Sequence, residues 1–188
     1  MRIFRGRTEP CKDGLGGVKR VYLFKYSQEV ARQARGQRGV SLTSYPPTLV
    51  YAYNVQASSF SENRAQDLGD WSQSFSATLT KQTLSDTIEI ETLIGIELGL
   101  IIEGWDGLFR LVGAENGCRI ENATAATGGA KNDLNGYTIS IEASERYKSL
   151  LFTDLVAAGF SIASENNYLL SELLEILTDG NANRLIYI

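Results

Sequence analysis

The chain contains no histidine. That absence removes Ser-His-Asp and Cys-His catalysis, His-ligated zinc and the usual proton shuttle at neutral pH. Cysteine occurs only as Cys11 and Cys118, without a CxxC pair. Two thiols cannot build a Cys-only zinc site, and a disulfide framework is not expected. Long apolar runs are also missing: the best, residues 93–102, is interrupted by Glu97, so no membrane span is expected. No apolar stretch follows the first seven residues, which excludes a secretory signal as the reading of this terminus. No carboxylate pair stands in a catalytic context. The expectation is a protein that is not an enzyme and that needs no cofactor and no metal.

What is there is the composition of a soluble globular protein. The 188 residues are 43% hydrophobic and 21% charged, enough for one domain or one domain with an extension. The net charge of −4 is unevenly divided. Residues 1–40 carry ten Lys or Arg against Glu9, Asp13 and Glu29, a balance of +7, and the remainder carries −11. Such polarity fits a nucleic-acid arm, or a subunit whose basic end meets an acidic surface on the next copy. Arg32, Arg35 and Arg38 recur at every third position within residues 27–47, a segment long for a connection. They are the candidate subunit or DNA contacts; catalytic, cofactor and metal residues are assigned to none.

Gly14-Leu15-Gly16-Gly17 invites a phosphate-loop reading. A dinucleotide fingerprint needs a strand before its glycines and a helix after them. Here an alternating strand follows, residues 18–26, with apolar residues on both faces. The glycines read as a turn. Lys131-Asn132-Asp133-Leu134-Asn135-Gly136 partly echoes a calcium loop, but a lysine occupies the first ligand position, and it too reads as a turn.

Further strands are expected over 48–57 and 71–80, and a hairpin over 98–103 and 108–112 around Gly104-Trp105-Asp106-Gly107. Another pair is expected over 119–123 and 137–143. Asp86 and Glu89 have capping-box spacing, which predicts a helix through about Ile96; Ile88-Glu89-Ile90-Glu91 alternates like a strand, but Leu84, Ile88 and Leu93 or Ile94 suit a helical stripe, and the helix is favoured. Residues 149–158 are apolar at helical spacing, and 165–178 form the clearest helical stripe, through Tyr168, Leu169, Leu173, Ile176 and Leu177. Residues 184–188 read as a short edge strand. The class is mainly β within α+β: an antiparallel sandwich or barrel with one packed helix and C-terminal helices.

The run from Gly107 to Gly117, then Thr127-Gly128-Gly129-Ala130 and Asp133 to Ile139, together with the stretch from Cys11 to Tyr26, resembles structural proteins of the tails and necks of tailed bacteriophages, especially crAss-like phages. The likeness covers roughly residues 10–150. It implies a β domain of tail-tube type over 1–150 with a long extended loop at 27–47, and a helical extension over 151–188. It also implies a homo-oligomeric ring in the virion, assembled in the host cytoplasm. Its partners would be copies of itself, neighbouring tail or neck proteins, and genomic DNA passing through the channel without specific binding. The other reading is a nucleic-acid-binding β-barrel that uses the basic first forty residues.

Overall fold

The computed structural model describes residues 16–37, 40–64, 69–130 and 133–163. After Gly17, whose φ of +107° suits a residue without a side chain, the chain enters β1, Val18–Lys25. Its alternation separates Val21 and Leu23 from Tyr22 and Phe24, and each pair is buried in a different core. A doubly apolar strand belongs at the centre of a sheet, and β1 lies there.

Next come α1, Gln28–Ala31, and the strands β2, Arg35–Gln37, β3, Ser41–Ser44, and β4, Thr48–Tyr53. Then follow β5, Gln56–Arg64, β6, Trp71–Thr80, α2, Leu84–Ile94, β7, Leu98–Gly104, and β8, Phe109–Val112. The described chain closes with β9, Arg119–Ala126, β10, Gly136–Glu145, β11, Leu150–Phe152, and β12, Phe160–Ile162. Two sheets result: an eight-stranded one ordered β12-β4-β1-β7-β8-β11-β3-β2, and a four-stranded one ordered β5-β6-β10-β9. Pairing is antiparallel except for β11 with β3 and β12 with β4. The expected mainly β, sandwich-like α+β fold with a packed helix is present.

One core lies between the sheets and includes Leu23, Phe75, Leu100 and Ile141, closed by Ile90 and Leu93 of α2. The other fills the curl of the larger sheet. There Phe160 stacks on Tyr45 at 4.9 Å between ring centres and lies 5.7 Å from Phe24, while Phe152 stacks on Phe109 at 5.4 Å.

Three expectations need correction. Residues 27–47 are not an extended loop: they form α1 and the β2–β3 hairpin, and bury Leu42 and Tyr45. The helix expected over 149–158 is absent. Leu150 pairs with Leu111, Leu151 with both Arg110 and Ser41, and a tight turn follows in which the Asp154 carboxylate accepts the N–H groups of Val156 and Ala157. Gly159, at φ +106°, redirects the chain into β12, and a Cβ there would sit 2.1 Å from the Tyr45 carbonyl oxygen. The main sheet therefore continues through residue 162, past the expected boundary at 150. Third, the helix near 86–96 is α2, but its N-cap is Thr83, whose hydroxyl accepts from the Asp86 N–H at 3.1 Å. Glu89 is instead held by the Tyr53 hydroxyl. The helix expected over 165–178 and the strand over 184–188 lie outside the described residues.

Candidate functional site

The outward face of the four-stranded sheet has an unusual composition. Its inward residues are mostly apolar, with Gln73, Glu145 and, on β5, Glu62 and Arg64 as the polar ones, and its outward residues line up in rows across the strands. One row is Gln56, Thr78, Thr138 and Thr124; the next is Ser59, Ser76, Ser140 and Asn122. Ser61, Ser74, Glu142 and Arg119 form a third, and Asn63, Ser72 and Ser144 a fourth. Every residue in these rows except Glu142 and Arg119 is Ser, Thr, Asn or Gln, and those two charges stand opposite one another. The rows carry no lysine. A face of this kind is hydrated and offers almost no cation to a phosphate. It was legible in part: Ser72, Ser74, Ser76 and Thr78 alternate with the apolar residues of β6. Reading only the apolar half of that period misses it, and the rows across strands require the register.

Both edges of this sheet lack a strand partner among the described residues. β5 pairs only with β6, and β9 only with β10, beyond a single bridge between Leu98 and Cys118. Long edges without proline or a covering strand are templates for pairing with another chain.

A second feature is a groove of about 730 Å³ at one end of the sandwich, lined by Arg32, Gln73, Glu115, Asn116, Glu145 and Lys148 among others. Its floor is a buried carboxylate. Glu145 is 1% exposed and accepts the N–H of Asn116 at 2.9 Å and that of Glu115 at 3.1 and 3.2 Å. Gln73, equally buried, accepts the Gly113 N–H at 3.1 Å and donates to the Tyr147 carbonyl at 3.3 Å. Tyr26 donates to the Glu115 carbonyl. These bonds converge on the turn at 113–117 and pin it to β6 and β10, so the carboxylate's oxygens are already occupied by backbone donors.

Burial pushes Glu145 up to about 7 against the opposing pull of the two N–H groups, and the negative charges of Glu115 and Asp70 add to the rise. Because the folded-state value lies above the ordinary 4.5, folding favours the protonated form. The stability linked to this group is present below pH 4.5 and is lost as pH rises through about 7. Replacing Glu145 by Gln should abolish that component, on the order of 3 kcal/mol between the two limits. Unfolding by denaturant at pH 5 and pH 8 checks it: the variant should gain on the wild type at the higher pH. A difference that stays constant would refute the coupling.

Arg32 caps α1 and lines this groove, so it lies among acidic groups of its own chain. Arg35 is exposed on β2, the edge strand of the larger sheet, and Arg38 lies outside the described residues. Arg32 therefore stands at the end of α1, and Arg35 on the β2–β3 hairpin.

Beside the stretch that echoes a calcium site, whose residues 131–132 lie outside the described residues, the Asp133 carboxylate accepts from the Gly129 and Ala130 N–H groups at 2.7 Å each. Burial pushes the Cys118 thiol up, and the thiol donates to the Leu98 carbonyl. No family model matches this chain, and comparisons with curated proteins and with solved structures return no match.

Proposed function

We propose that this protein is a structural subunit of a bacteriophage tail or neck, built with copies of itself into a ring whose β5-β6-β10-β9 sheets face the DNA channel. The observation that carries the reading is the outward face of that sheet, with its rows of short hydroxyl and amide side chains between two edges that are unpaired among the described residues. Strands in the sheet alternate in direction, so β9 of one copy beside β5 of the next continues the antiparallel pattern. Such an interface joins two different patches, and repetition closes it into a ring. A channel lined this way holds DNA loosely, since tight phosphate binding needs Lys or Arg. The subunit acts by assembly and not by catalysis, in the virion, against neighbouring tail or neck proteins.

Mass measurement in solution with negative-stain imaging tests it. Rings or stacked rings are expected. A monomer at every concentration that binds DNA in a salt-sensitive way would replace this reading with the nucleic-acid-binding barrel.

Arg32, Arg35 and Arg38 enter as contacts between subunits. One exposed Arg–carboxylate pair contributes only about 0–1 kcal/mol, so no single arginine decides assembly. Every copy repeats the contact, however, and replacing all three by Ser should shift assembly to higher protein concentration while leaving the monomer's melting little changed. Sedimentation across a salt series reads both. Unchanged assembly would move these residues out of the interface, and normal assembly with lost DNA affinity would make them DNA contacts.

A further inference from the structure

The core between the two sheets is not filled throughout. Beneath α2 lies a pocket of about 160 Å³, with a floor made by Leu23 of β1, Phe75 of β6, Ile139 and Ile141 of β10, and Ile90 of α2. All five are buried. The mouth has a different character. Asn54, from the connection between β4 and β5, and Lys81, just past β6, are exposed there, and Asp86 and Glu89 reach it from α2. These two carboxylates lie three positions apart on one side of the helix.

Size and lining together point to a ligand. An apolar space of about 150 Å³ lined by Leu, Ile and Phe takes benzene. Side chains around such a space forgo contacts that an apolar occupant restores, so occupation also stabilises the fold. The cavity carries the site, and the charges at its mouth decide what the other end of the ligand must be. Lys81 is exposed and keeps its ammonium hydrated, whereas Asp86 and Glu89 are partly withdrawn from water. The Glu89 carboxylate accepts from the Tyr53 hydroxyl, which leaves lone pairs for a second donor. Burial pushes Glu89 up against the pull of that hydroxyl, and the Asp86 charge adds to the rise. A cation in the mouth relieves both penalties.

We propose that this pocket binds a small primary amine bearing a single aromatic ring, with the ring on the floor of Phe75 and Ile141 and the ammonium between Asp86 and Glu89. A carboxylate in place of the amine would meet two like charges. An amine without the ring would leave the apolar floor uncovered.

Phenethylamine added to the full chain tests this, with methyl resonances followed by NMR. Those of Leu23, Ile139 and Ile141 should shift and saturate, and the melting temperature should rise with ligand concentration. Phenylacetate, with the same ring and the opposite charge, should bind about fivefold more weakly, and ethylamine should leave these methyls unmoved. Glu89→Gln should weaken the amine by about the same factor without weakening phenylacetate. Leu79→Trp, at a partly buried position of the lining, should fill the pocket and abolish the shifts. Shifts that are absent at millimolar amine, confined to exposed residues, or equal for phenylacetate or ethylamine would overturn the proposal. So would undiminished binding to a folded Leu79→Trp chain. If that variant does not fold, the comparison of ligands on the wild type decides alone.

Discussion

Replacing Phe160 by Ala is expected to cost about 3–5 kcal/mol, the usual range for emptying a fully buried aromatic site. Phe160 is 1% exposed and lies within 5.8 Å, centre to centre, of Tyr45, Phe24 and Phe152. Those three rings come from the β3–β4 connection, from β1 and from β11, so one truncation loosens the contacts that hold the curl of the larger sheet. The neighbours are rigid rings on paired strands and collapse poorly into the space left, which places the effect at the upper end. Denaturant unfolding measures it. A cost below about 1 kcal/mol, within the reach of an ordinary surface change, would mean that residue 160 belongs to a dispensable extension. For comparison, Ser161→Ala on the same strand, exposed to solvent, should change little.

The second large effect is a gain. Wild-type protein should not retain DNA at physiological salt. Changing Ser74, Ser76 and Ser140 to Lys should create salt-dependent binding. These positions sit in adjacent rows, with Ser140 directly opposite Ser76. Each phosphate neutralised adds about −0.9 to the slope of log affinity against log salt. Three lysines per subunit, multiplied around a ring, would raise affinity by orders of magnitude at low salt. The side chains point to solvent, so the fold should tolerate them. Fluorescence anisotropy with duplex DNA across a salt series reads the slope. Tight binding by the wild type would contradict a channel that lets DNA pass.

Much of the fold was readable before any coordinates. β1, β6, the β7–β8 hairpin and the β9–β10 pair follow from period-two alternation and turn residues, and α2 from its helical stripe, although its cap was misassigned to Asp86 and Glu89. Those signals are local. β5 was missed because Gln56–Arg64 has a single large apolar residue, Phe60, and becomes a strand through pairing with β6. Residues 149–158 misled because Leu150, Leu151, Leu155 and Val156 satisfy a helical period. Backbone pairing to β8 and β3 outweighs that weak preference.

The candidate site divides the same way. Serine alternation in β6 was visible, but nothing local says that Ser59, Ser76, Ser140 and Asn122 form one row, since they come from four strands and meet only through register. Glu145 reads as a surface carboxylate at the end of an alternating strand. Only the folded chain brings the N–H groups of Glu115 and Asn116 to it and removes water.

By itself, the sequence determined the mainly β class, the absence of histidine chemistry, the central place of a doubly apolar β1 and the division of charge along the chain. Composition and short-period patterns carry those, because burial at each position follows from its own residue type and its nearest neighbours. Tertiary structure decided the two sheets, the hydroxyl face, the groove over Glu145 and the turning-in of residues 27–47. Each depends on which distant strands pair and in what register, and the free energy of that choice is set by packing and backbone hydrogen bonds shared among segments far apart in the chain.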